Sequence, residues 1–125
     1  MDAELESSVY EDRIVSQWRE VSADEKSQLR EKFDEILRPL GLQTRLVVVE
    51  RANSIAVYFI CMTLLALTSL RGLWRSGQLR YIVKSLFDLL SGATRKVWVK
   101  RLTWPVADYE RSLQFFRSVK GKPTI

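Results

Sequence analysis

Histidine is absent from the 125 residues, and cysteine occurs once, as Cys61. Without His there is no Ser-His-Asp or Cys-His catalytic unit and no His-containing zinc site. A single Cys excludes a four-cysteine zinc site and an intramolecular disulfide. Gly-rich phosphate loops, a GxSxG elbow and paired metal-ligand spacings are missing as well. The expectation is a protein that is not an enzyme and carries no metal or cofactor. The lone thiol suits a reducing compartment. The N-terminal stretch MDAELESS lacks the basic and apolar regions of a signal peptide, so a cytoplasmic location is expected. Glycine and proline are scarce too, five and three, while 46 % of residues are hydrophobic. That balance belongs to one globular domain, here residues 1–120, with a loose tail at 121–125.

Charge is present but uneven. Residues 1–42 hold eleven acidic and six basic side chains, whereas residues 43–125 hold four and fourteen. Such asymmetry marks either two halves that attract each other within one fold or a basic face with a partner. Nineteen consecutive uncharged residues separate Arg51 from Arg71, nearly enough for a bilayer-spanning helix. The run contains Asn53, Ser54, Thr63, Thr68 and Ser69, however, and its first part is β-branched and aromatic. A hairpin turning at Asn53 is incompatible with a span from that point, and the hairpin is the favoured reading.

Elements follow from periodicity and punctuation. Ser8-x-x-Glu11 has capping-box spacing and is followed by Tyr10, Ile14 and Trp18 on one helical face. Ser22-x-x-Glu25 repeats the signal before Leu29, Phe33, Ile36, Leu37 and Leu40, and Pro39 with Gly41 closes that helix. Residues 45–50 and 55–61 are β-rich and separated by a short turn, an antiparallel hairpin with Val57 opposite Val47 or Val49. Thr63 can cap a helix through Trp74, Ser76-Gly77 breaks it, and a second helix from Gln78 runs to Ser91-Gly92. Residues 95–103 alternate as a strand, and Pro105 suits the first turn of a last helix. The expected order is α-α-β-β-α-α-β-α, an α+β two-layer sandwich with helices packed on one face of an antiparallel sheet.

Function is then sought on the open face. If Val97 and Val99 face the helices, Lys96, Trp98 and Lys100 point outward, and Tyr58 points outward from the hairpin. Together they would form an amphipathic platform, with aromatics supplying contact area and lysines supplying steering. The same combination could stack single-stranded RNA bases and hold phosphates, although no RNP-like motif is present. A second basic group, Arg71, Arg75, Arg80 and Lys84, lines helical faces across the Ser76-Gly77 break. It is either a solvated face or a site for phosphate or anionic lipid. Cys61 lies in an apolar strand, as buried filler rather than a nucleophile.

From a β-strand ending at Cys61, the sequence passes through Leu67 and Leu70 to Trp74, Gly77 and Leu79, then Ile82, Val83 and Leu86. In this it resembles the N-terminal domain of the tumour necrosis factor receptor-associated death domain adaptor family (TRADD-N-like). The resemblance spans about residues 24–117 and is concentrated at 61–90. It implies an α+β sandwich and a scaffold role in death-receptor or innate-immune signalling, with recruitment of TRAF C-terminal domains through the sheet edge and its loops. Glu50, Arg51 and Asn53 occupy the comparable hairpin here, with residue types unlike the family's.

Overall fold

A computed structural model describes residues 1–5, 8–23, 28–91 and 97–121. Among these residues the elements follow in the order β1 (Asp2–Leu5), α1 (Ser8–Ala23), α2 (Gln28–Leu37), a 3₁₀ turn (Arg38–Leu40), β2 (Thr44–Arg51), β3 (Ile55–Cys61), α3 (Leu64–Ser76), α4 (Gln78–Ser91), β4 (Val99–Thr103) and α5 (Val106–Gly121). The sheet order is β2-β3-β1-β4, and every pairing is antiparallel. Helix α4 packs against both α1 and α3, all three contact the sheet, α2 packs on α4, and α5 lies against α3. The α+β two-layer architecture is therefore present as expected.

Local chemistry accounts for most of the boundaries. Thr63 is extended, and its hydroxyl accepts the Ala66 N–H at 3.0 Å, a side-chain cap that starts α3. Gly77 ends that helix at φ +86°, a left-handed conformation for which glycine carries no Cβ penalty. In the hairpin Val49 pairs with Val57, and β2 accommodates a bulge between Leu46 and Val48. The nineteen-residue uncharged run is thus divided between β3 and α3. Among the described residues no helix is long and apolar enough to cross a membrane.

Several expectations need correction. The order gains a strand at its start, because Asp2–Leu5 is inserted between β3 and β4 as a central strand. Ala3 and Leu5 are buried in the core, and Asp2 and Glu4 alternate to the opposite side. Ser22 does not open the second helix, since it still lies in α1, and Glu25 falls outside the described residues. Of the strand expected at 95–103, the structure shows Val99–Thr103 as β4, and Lys96 lies outside the described residues. Gly121 of the expected tail closes α5, and the remainder of that tail is likewise outside them.

The core lies between the sheet and α1, α3 and α4. Ile14, Ile55, Val57, Leu79, Val83, Leu86, Phe87 and Val99 are the largest fully buried side chains among the described residues. Burial of each large apolar side chain contributes about 1.5–3 kcal/mol, so this layer outweighs any surface ion pair.

Candidate functional site

β3 presents its two faces unequally. Ile55 and Val57 are fully buried toward the helices, whereas Tyr58 and Ile60 are 47 % and 53 % exposed on the uncovered face. Ala56 shares that face but is buried, being a methyl group paired with Asp2 on one side and Glu50 on the other. The neighbouring Glu50 carboxylate favours the protonated phenol of Tyr58 and lifts its pKa above the ordinary tyrosine value. The negative charges of Asp2 and Asp108 act in the same direction. Tyr58 therefore stands among three carboxylates.

Trp98 is elsewhere. It precedes β4, is 51 % exposed, and lies beneath the Arg80 guanidinium at 5.2 Å from the ring centroid. The Arg80 Nε–H donates to the Val99 carbonyl at 2.9 Å. Trp98 and Arg80 share a depression of about 330 Å³ with Tyr81 and Lys84 of α4, while Tyr58 lines a different one. The single platform expected from Tyr58, Trp98 and the lysines is therefore not assembled. β1 separates β3 from β4, and Trp98 is drawn to α4. Lys100 is exposed on β4, with its ammonium 3.8 Å from Glu4.

The hairpin residues divide as well. Glu50 and Asn53 are exposed. Arg51 is held by Glu11 and, at 3.3 Å, by Asp12 of α1. The hydrogen bond and charge of Glu11 hold the Arg51 guanidinium pKa above its usual value, against a smaller desolvation effect. Glu11 also accepts the Leu5 N–H at 3.1 Å. Its carboxylate thus ties β1 and β2 to α1 instead of serving only the helix terminus. Arg51 is consequently a structural residue, as is Arg71 of the second basic group. The Arg71 guanidinium lies 4.3, 5.1 and 4.8 Å from the rings of Trp74, Trp104 and Tyr109, and donates to the Trp104 carbonyl at 2.9 Å. Lys84 pairs with Asp88 one turn on.

A cleft of about 280 Å³ between β3 and α5 was not anticipated. Val57, Tyr58, Phe59, Ile60 and Cys61 all line it, with Met1 at one end, α5 along the side and Leu67 and Leu70 of α3 beneath. Consecutive strand residues alternate between faces, so a cleft touching all five runs along the strand's edge. Cys61, half-buried here, has a thiol pKa pushed up by burial; the Thr44 hydroxyl, donating at 3.8 Å, opposes that partly. No group of His, Cys, Asp or Glu among the described residues could hold a metal ion.

No family model, curated protein or solved structure matches the chain.

Proposed function

We propose that the chain is a protein–protein interaction domain without catalytic activity, an adaptor or scaffold module of cytoplasmic death-receptor or innate-immune signalling. The observation that carries this reading is the sheet face left uncovered by helices, on which Tyr58 and Ile60 stand side by side and half-exposed. A large amphipathic aromatic beside an aliphatic group, rimmed by Glu50 and Asp2, has the apolar centre and polar border of a protein-binding patch. The TRADD-N-like resemblance around Trp74, Gly77 and Leu79 supplies the partner class, TRAF C-terminal domains. Single-stranded RNA is the weaker reading, because Tyr58 is surrounded by carboxylates and not joined to Trp98 or Lys100. Carboxylates at that position repel phosphate.

Calorimetric titration of the purified chain with a purified TRAF C-terminal domain tests this. Binding by wild type that weakens about tenfold or more in a folded Tyr58→Ala/Ile60→Ser variant is the expected result. Equal binding by both removes the face, and no binding by wild type removes TRAF recruitment.

A further inference from the structure

We propose that the depression between α4 and the start of β4 binds a nucleotide, its base against Trp98 and Tyr81 and its phosphate on Arg80 and Lys84. The site is separate from the face that carries Tyr58, and the inference stands independently of the interaction function. The argument begins with exposed aromatic rings. Trp98 is half-exposed and Tyr81 is 67 % exposed, and both border the same hollow of about 330 Å³. Trp18, Trp74 and Trp104, by contrast, are packed into or against the core. Two uncovered rings beside one hollow offer a surface that can meet a flat group.

The cations at the hollow are held in place. The Arg80 Nε–H is bonded to the Val99 carbonyl while the guanidinium lies over the Trp98 ring, so the fork is fixed from two sides. Its two terminal nitrogens make no hydrogen bond or ion pair among the described residues, and together they present a paired edge to an anion. Lys84 stands four residues on along the same face of α4 and gives one N–H to Asp88 at 2.7 Å. The other Asp88 oxygen accepts the Val97 N–H, so the ammonium is anchored with two donors to spare. Among the described residues no acidic side chain lines this hollow, unlike the surroundings of Tyr58. A fork whose rotamer is already fixed loses little further entropy on binding.

Size and layout specify the occupant. The hollow lies at the small end of ligand clefts, which run from about 300 to 1,000 Å³, and suits a single nucleotide. Because Arg80 lies over the indole itself, the anion and the flat group must bind side by side. A ribose lets a phosphate fold back beside its base. The phosphate of a phosphorylated phenol instead projects away in the plane of its ring, and inorganic phosphate gives the rings nothing to stack on. At Gly77, which also lines the hollow, the place of a side chain is open space with no atom within 4 Å, and this leaves room for the sugar. Stacking tolerates any base, so adenine serves as the probe.

The test titrates adenosine monophosphate and octa-adenylate into the wild-type chain at low salt and follows the tryptophan indole resonances by NMR. Saturation is expected to shift the Trp98 resonance and to leave those of Trp18, Trp74 and Trp104 in place. Trp98→Ala should weaken binding about tenfold and Tyr81→Ala about fivefold or more. Tyr81 is exposed, so its variant keeps the fold. Arg80→Lys, which keeps the charge and removes the fork, should weaken binding about tenfold. Equal affinity per nucleotide for the two probes assigns the site to free nucleotides, and tighter binding of the octamer assigns it to a single strand; both support the proposal. Phenyl phosphate binding as tightly as adenosine monophosphate overturns it and points to phosphorylated tyrosine. Binding that Tyr81→Ala and Trp98→Ala leave unchanged, or that shifts the other indoles instead of Trp98, overturns it too. So does the absence of binding by both probes at millimolar concentration.

Discussion

Glu11 illustrates how much one side chain can hold. It is only 5 % exposed, yet its two oxygens serve the Leu5 N–H and the Arg51 guanidinium. Removing it leaves a backbone donor without its partner and a cation beside the core. Arg51 is about a third exposed, so water can recover part of that loss. Glu11→Ala is therefore expected to cost about 2–3 kcal/mol, less than a fully buried pair, read as a lower urea midpoint at unchanged slope. Two other residues report on their surroundings by titration. Tyr58 has a raised pKa in the folded chain, so the folded state keeps its proton longer than the unfolded state does. Stability should fall as pH rises from about 10, the unfolded value, through the folded value. Tyr58→Phe should remove that contribution, and spectroscopic titration of tyrosinate compares the two. Cys61, its thiol pKa raised by burial, should alkylate more slowly than free cysteine at about pH 8 in the native chain and at the ordinary rate once unfolded.

Among the elements, α3 joins the parts most firmly. Its Arg71 is stacked among Trp74, Trp104 and Tyr109, and these rings meet edge to face at 6.4 and 5.5 Å. That cluster fixes the Trp104-Pro105 corner and hence the start of α5, one wall of the cleft. A lysine cannot lie flat on three rings while bonding a carbonyl, so Arg71→Lys should destabilise by about 1–2 kcal/mol in thermal unfolding. Most elements could be read from sequence because their signals are local: the Thr63 cap, the Gly77 stop, the turn at Asn53. β1 could not, since two apolar residues in four make too short a pattern and its pairing residues lie fifty and about a hundred positions away. The expected platform failed for a related reason. Alternation alone extends the strand through Trp98, but β4 starts at Val99, and Arg80 of α4 captures the indole. Tyr58 and its outward direction were legible. The cleft was not, because the strand and helix that line it, β3 and α5, lie far apart in the sequence.

For the whole molecule the central position of Asp2–Leu5 decides cooperativity. β4 reaches the hairpin only through β1, so the four strands form one sheet by virtue of four residues near the start of the chain. Deleting residues 1–5 should abolish the cooperative thermal transition, whereas removing residues 122–125 should leave it in place. Circular dichroism melting curves distinguish the two. The placement also bears on how the chain is made. Of the four strands, β1 leaves the ribosome first, yet it can pair with β3 only after residue 57 has emerged and with β4 only after residue 103. In that interval a nascent strand with both sides unpaired must avoid its neighbours on a polysome. Asp2 and Glu4, alternating with Ala3 and Leu5, place carboxylates along it and make pairing between copies electrostatically unfavourable until its own partners arrive.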